Sequence, residues 1–293
     1  MNGPADLARI GLRWDPCGQA GLTGPLLALA NDCDRAFRCI ASRWRSQEEA
    51  YAMTLPASSL AGHLRSFPHQ VTFATALDSA EANLAEFADG PVVDKSGAVA
   101  LTRTAPVTAV LTPAACYHVY HGHQGEQLPA AGYVTTRNTC FRRESDYDPL
   151  RRQWSFAMRE IVCLGTAEET ASFLVEARAA VDHFALLIDL PMDWTPATDP
   201  FFRPERHPGH LLQRIQPVKH EATYGGSLAL GSANLHHDHF GTAFAITRDG
   251  VPASTACLAF GLERWLYALV DRHGPEPDGW PDLLAAAGQV AAR

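Results

Sequence analysis

What this sequence lacks narrows its function before any motif is read. It has no apolar run long enough to cross a bilayer. Gly21 to Ala30 is apolar, but it is too short and too interrupted. Met1 to Ile10 holds one arginine and no basic cluster ahead of an apolar stretch, so no signal peptide is expected. Basic residues are in the minority: 24 Lys and Arg stand against 32 Asp and Glu, a formal net charge of -8. That balance argues against a grip on a large RNA or DNA, which calls for a basic face. The seven cysteines form no dense, regular framework. Their spacing suits a reducing cytosol better than a secreted disulfide scaffold. No repeat of fixed period is visible, and no linker forces a split into two domains.

What is present is enough for a folded catalytic domain. The 293 residues are 46% apolar and 19% charged, which supports a sizeable core and excludes global disorder. The pattern predicts an amphipathic helix over Ala36 to Met53 and another over Asp78 to Ala88, closed by Asp89-Gly90-Pro91. Val107 to Tyr120 reads as a strand running into a turn or helix. Tyr133 to Arg143 and Trp154 to Leu164 read as strands joined by a polar hairpin loop. Thr166 with Glu169 makes a capping box for a helix to about Phe184. Asp193 to Pro208, with four prolines, reads as an irregular insertion. Strands are expected at Ser227 to Asn234, Thr242 to Thr247 and Pro252 to Phe260, with a hairpin turn at Asp249-Gly250. A last helix covers Leu262 to Val270. Hairpin-joined strands with helices alongside predict a single antiparallel α+β domain spanning 1–293.

Two arginine clusters carry the chemistry. The first is Phe141-Arg142-Arg143-Glu144, followed by Arg152 and Phe156. A planar guanidinium takes phosphate oxygens two at a time, and a nearby carboxylate accepts from a base amino group. The second is Gly261-Leu262-Glu263-Arg264. Two such clusters around one triphosphate describe a phosphate-handling enzyme.

The segment Cys140 to Glu144, with Arg152 and Phe156, resembles the second signature motif of the class II aminoacyl-tRNA synthetases, and Cys257 to Arg264 resembles the third. The resemblance implies that Arg142 grips the α-phosphate of ATP and that Glu144 reads the adenine amino group. Arg152 and Arg264 then lie near the γ-phosphate end, and Phe156 belongs to the nucleotide site. Glu221, in Lys219-His220-Glu221, corresponds to an acidic residue that holds Mg²⁺. The first class II motif, a dimer-interface element, is not placed.

Three further contexts resemble the zinc ligands of atypical, methanogen-type seryl-tRNA synthetases: Cys116 in Pro113-Ala114-Ala115-Cys116-Tyr117, Glu160 in Met158 to Val162, and Cys257. Spacing alone does not support this reading, since a buried cysteine is commonly a small core hydrophobe. Two thiolates and one carboxylate leave one zinc position open, the pattern of a catalytic rather than a structural zinc. The resemblance implies that this position takes the amino group of an amino acid. Ser232 and Asn234 are candidate contacts to that substrate. For His236, His237 and His239, a separate metal site, a polar pocket wall and structural histidines stay open.

No basic RNA-binding extension accompanies these motifs. The chain is most similar in layout to the amino acid:carrier protein ligases, truncated homologues of those synthetases, over roughly residues 60 to 275. The supporting segments are Pro113 to Cys116, Thr198 to Phe202 and Asn234 to Gly241. The resemblance implies a cytoplasmic homodimer that uses ATP with Mg²⁺ and one zinc per subunit. It would activate glycine, alanine or serine as the adenylate and pass it to the phosphopantetheine thiol of an acidic carrier protein. tRNA is not expected as the acceptor, and no membrane is. Another acceptor, or a non-catalytic paralogue, remains open. Arg203, Arg206, His207 and Arg214 make a local basic patch, so residues 193–218 are expected to dock the carrier.

Overall fold

The architecture follows from one twisted sheet with two unlike faces. In the computed structural model, residues 4–206 and 217–293 are described. The main sheet has seven strands. Their order is Asp193–Pro196, Lys219–Tyr224, Leu228–His237, Ser254–Gly261, Ser155–Gly165, Gly132–Phe141 and Gln47–Glu49. Every neighbouring pair is antiparallel except the last, where Gln47–Glu49 runs parallel to Gly132–Phe141. The α+β expectation therefore holds.

Side chains alternate across a strand, so each central strand feeds both faces. On one face Ile161, Cys163, Ala256, Leu258 and Phe260 join the large core. That core is covered by the helices Gly24–Ala41, Ala167–Leu187, Leu262–His273 and Leu283–Ala291. Phe37 stacks on Phe260 at 4.1 Å between ring centroids, with Trp265 edge-on at 5.1 Å. The other face carries a smaller apolar cluster around Tyr120, Phe240 and Val162, and beside it the polar residues of the cavity described below.

Two bulges in Leu228–His237 decide which residues meet that cavity. Ala222 pairs with Gly231, but Thr223 pairs with Ala229, so Leu230 is the extra residue. The bulge flips the alternation. Leu228 and Leu230 face the helices, whereas Ser232 and Asn234 line the cavity. Gly231 fits there because a Cβ would stand 2.3 Å from the Ala259 carbonyl oxygen. The second bulge leaves His236 without a register partner, between Leu235, opposite Ala256, and His237, opposite Thr255.

Several expectations need correction. The helix expected over Ala36 to Met53 runs instead from Gly24 to Ala41. Its apolar positions Leu26, Leu29, Ala30, Cys33, Phe37 and Ile40 keep helical spacing, so the apolar run before Ala30 is its first half. It stops where Arg45 takes φ of 53° and the Ser46 hydroxyl donates to the Ala41 carbonyl, after which Gln47–Glu49 is extended. Thr242 to Thr247 is not one strand. His239–Phe244 is a short helix, and Gly241 lets it lie on the Ala253 backbone, 2.1 Å from where its Cβ would be. The insertion after Asp193 contributes the edge strand Asp193–Pro196 and a turn at Pro204–Arg206. His207 and Arg214 of the basic patch lie outside the described residues. The Thr166–Glu169 capping box forms as expected, and the helix continues to Leu187. Asp249 and Gly250 both take positive φ in the hairpin turn. No described helix is long and apolar enough to cross a membrane.

Candidate active site

A cavity of about 280 Å³ opens on the polar face of the sheet. Its walls bring together the residues that the sequence assigned to nucleotide, amino acid and metal: Cys116, Arg142, Glu144, Arg152, Phe156, Glu160, Glu221, Ser232, Asn234, Cys257 and Arg264. Sheet register explains part of this convergence. Glu160 faces Ala259, Ser232 faces Ala259 from the other side, Asn234 faces Cys257, and Glu221 faces Ser232.

One side of the cavity is built for an anion. Arg142 follows the strand Gly132–Phe141 and donates through Nε to the Pro113 carbonyl at 3.0 Å. Its guanidinium lies 5.2 Å from the centroid of the Phe156 ring, which fixes the plane of the fork. Arg264, in the first turn of Leu262–His273, donates through Nε to the Arg151 carbonyl at 2.8 Å and through Nη1 to the Ala229 carbonyl at 3.0 Å. Burial, together with the nearby Arg142 charge, pulls its proton affinity down. Two cations in one enclosed space repel unless an anion joins them. Arg152 is half-exposed on the hairpin loop, and Nη1 reaches both Asp146 oxygens at 2.9 and 2.7 Å. An exposed pair of this kind is worth little, so Arg152 is free to exchange Asp146 for a ligand. Glu144 and Phe156 complete the rim.

The opposite side is a cluster of metal-ligand type. One ligand atom each from Cys116, Glu160 and Cys257 lies within 4.8 Å of the others, and all three residues are buried. It is the one such group found among the described residues. Cys116 opens the helix Cys116–Gly122. The backbone N–H groups of Ala115 and Cys116 hold Glu160 Oε1 at 2.9 and 3.2 Å. Asn234 donates to Cys257 Sγ at 3.3 Å and to Ser232 Oγ at 2.9 Å. The Cys116 thiol is pushed well up by its hydrogen bond with Cys257, then by burial and the Glu160 charge. The Cys257 thiol is pulled down by its bond with Cys116, yet burial and Glu160 leave it raised. Gathering three acidic ligands in a dry spot is costly without a cation and favourable with one. Zinc radii call for ligand atoms roughly 3.3–3.8 Å apart in a tetrahedral site, which this grouping can meet. The donor set therefore fits zinc.

The histidine tract divides. His236 lines the cavity, half-buried in its wall, and desolvation there pushes its imidazole down to about 4. His237 is an exposed bulge residue at φ of 50°, and His239 is exposed at the start of the short helix. The polar pocket wall is thus the reading that His236 meets.

Some residues of the cavity had no role assigned from sequence. Lys219 Nζ bridges Asp199 at 2.9 Å and Glu221 at 3.2 Å. Its position two residues before Glu221 on a strand was the available signal. Both oxygens of Glu263 accept from the Ala157 N–H, at 2.9 and 3.0 Å, tying the helix Leu262–His273 to the strand that carries Phe156 and Glu160. Glu263 lines the cavity, and burial pushes its carboxyl up to about 7 against the Ala157 bond. His63 meets the Tyr117 hydroxyl at 3.1 Å across the cavity mouth; nothing in the sequence marked it.

No family model matches the chain. It is 32% identical over 249 residues to amino acid–acyl-carrier-protein ligase 1 of Bradyrhizobium diazoefficiens, covering 79% of this chain and 73% of that protein. Ligase 2 of the same organism is 33% identical over 239 residues, covering 77% and 70%. The type-2 serine–tRNA ligase of Methanopyrus kandleri is 26% identical over 193 residues, 60% of this chain and 37% of that enzyme. Among solved structures, the M. kandleri seryl-tRNA synthetase bound to A. aeolicus tRNASec aligns with a TM-score of 0.77 at 18% identity. It covers 95% of this chain and 58% of that one. Prolyl-tRNA synthetase from Cryptosporidium parvum aligns with 0.66 at 11%, over 92% and 51%. The fold is therefore that of the class II synthetase catalytic domain.

Proposed function

The chain belongs to the amino acid–acyl-carrier-protein ligases, and on that footing we propose that it activates a small amino acid with ATP and transfers it to a carrier-protein thiol. The observation that carries this reading is the meeting, in one cavity, of an arginine-lined anion side and a three-ligand metal cluster. Glycine, alanine and serine are the candidate substrates.

In the first step a carboxylate oxygen of the amino acid attacks the α-phosphorus of ATP. The bond to the bridging oxygen breaks, and pyrophosphate leaves. Attack brings two anions together, so charge neutralisation lowers the barrier. Arg142, held in plane by Pro113 and Phe156, takes α-phosphate and carboxylate oxygens. Arg152 and Arg264 hold the departing pyrophosphate, and Glu144 takes the adenine amino group over Phe156. Glu221 is the carboxylate assigned to the Mg²⁺ that accompanies ATP, since that ion takes one or two carboxylates besides phosphate. Lys219 engages its Oε1 at 3.2 Å, which leaves Oε2 for the ion. Cys116, Glu160 and Cys257 would hold a zinc ion, which would supply a coordination partner for the substrate amino group and so favour amino acids. Ser232 and Asn234 line the path between. In the second step the phosphopantetheine sulfur, as thiolate, attacks the acyl carbon; AMP leaves and the thiol proton goes to solvent.

The reading takes residues 1–293 as a single catalytic domain that works as a homodimer, with the insertion 193–218 as the carrier-docking element. Its test is amino-acid-dependent exchange of labelled pyrophosphate into ATP without RNA. This is followed by an intact-mass shift on a phosphopantetheinylated carrier protein. Arg142→Ala should slow exchange by on the order of 10²–10³-fold, the effect of losing one oxyanion donor or more. Absence of exchange with any proteinogenic amino acid would remove the enzyme reading. Exchange without a mass shift, but with a labelled tRNA or amine, would replace the acceptor.

A further inference from the structure

His236 owes its place in the cavity wall to the second of the two faults in the strand Leu228–His237. It is the extra residue of the bulge between Leu235 and His237, with no partner on Ser254–Gly261. Bulges re-aim side chains, and this one leans the imidazole over Thr255 and Cys257. Nδ1 lies 3.2 Å from the Thr255 hydroxyl and 3.3 Å from the Tyr120 hydroxyl, both fully buried. Nε2 lies 4.0 Å from Cys257 Sγ. The ring is also packed edge-on against Phe240, with centroids 4.9 Å apart.

These contacts fix the tautomer once Cys257 is a metal-bound thiolate. A thiolate accepts hydrogen bonds and donates none. The nitrogen facing it, Nε2, must then carry the proton, and Nδ1 accepts from a hydroxyl that can rotate to donate. Asn234 already divides its two amide hydrogens between Ser232 and the same sulfur. Two N–H groups from one strand therefore converge on one sulfur, while Cys116 and Glu160 come from other elements.

We propose that His236 is a positioning residue which, with Asn234, donates to the Cys257 thiolate and so sets how tightly the cluster holds its ion. The proposal rests on the reading of Cys116, Glu160 and Cys257 as a metal site. Donors to a ligand sulfur orient it and stabilise its charge in a buried place, and losing such an outer partner typically weakens metal binding.

The experiment compares the intact protein with His236→Phe, which keeps a packed ring but has no N–H, and His236→Gln, which restores one. Zinc affinity is read by competition with a colorimetric chelator, and the cobalt-substituted proteins by their sulfur-to-metal charge-transfer band. The phenylalanine variant is expected to bind zinc about 10–100-fold more weakly. Its band should move to longer wavelength, because the unprotected sulfur gives up an electron more easily. The glutamine variant should recover most of both. A folded phenylalanine variant with unchanged affinity and band would overturn the proposal alone, as would equal loss in both variants, which would mark a packing role. An unaltered protein that binds neither zinc nor cobalt would overturn the metal reading with it.

Discussion

Arg142 and Glu263 show how a single side chain's environment sets its use. Arg142 spends Nε on Pro113, sets Nη2 3.7 Å from the Met158 sulfur, a weak acceptor, and rests on Phe156, so most of its fork is left for a ligand. This was legible in the sequence, because an arginine between an aromatic and a glutamate is chemically distinctive. Glu263 was not, since a carboxylate beside a site arginine reads as surface charge. Only the fold brings it under the strand at Ala157. The consequence is a pH dependence with a definite sign. The folded value, about 7, lies above the ordinary 4.5. The carboxyl therefore contributes its full stability below 4.5 and loses it as pH rises through 7. Glu263→Gln keeps an oxygen for the Ala157 N–H but does not titrate. In thermal melts from pH 5 to 8, the stability of the unaltered protein relative to this variant should fall up to about pH 7 and then level off. A difference that stays flat over that range would mean the carboxyl is not held in the neutral form.

At the scale of elements, the helix Gly24–Ala41 does more than cover the sheet. Asp34 lies on its buried face and meets Arg159 through two bonds, Nε to Oδ1 at 2.8 Å and Nη2 to Oδ2 at 3.0 Å. Arg159 immediately precedes Glu160 and points to the opposite face. The ion pair thus anchors from behind the strand that presents Glu160 to the cavity. Removing Asp34 breaks the buried pair and leaves Arg159 with Glu48 alone, at 3.2 Å, so Asp34→Ala should cost about 3 kcal/mol in urea unfolding, the low end for a broken buried pair. A loss under 1 kcal/mol would mean that water reaches Arg159. The helical spacing of Leu26, Leu29, Ala30 and Cys33 did mark this helix's first half, but the apolar run before Ala30 was weighed only as a membrane span. The capping box at Thr166 was readable because its two bonds are local. The strand at Thr242 was misread because its alternating pattern is also compatible with one helical turn, and the close contact of Gly241 with Ala253 decides between them.

At the scale of the whole molecule, the division of labour is between the sheet, which builds most of the cavity, and the insertion after Asp193, which adds Asp199 and Pro200 to its wall and carries exposed residues beyond it. Strand order and the two bulges depend on pairings between distant segments, which is why they were not legible from the chain. The basic patch was legible as composition, and the described part of it is exposed. Arg203 takes φ of 52° and lays its guanidinium 5.0 Å from the centroid of the half-exposed Phe202 ring. Arg206 closes the turn Pro204–Arg206. On a protein of net charge -8, cations displayed on a projecting segment are suited to an acidic partner. Lys219 and Asp199 pair across the base of the insertion at 2.9 Å, separating its outer residues from the cavity wall. Charge reversal at both outer arginines, Arg203→Glu with Arg206→Glu, should therefore act on the second step alone. Transfer to an acidic carrier protein should require several-fold more carrier for half-maximal rate, and added salt should shrink the difference from the unaltered protein, because rim charges act mainly through screened, long-range association. Pyrophosphate exchange should stay at its original rate. Loss of exchange in step with transfer would mean the arginines support the cavity itself, and unchanged transfer would move the docking surface elsewhere on the molecule.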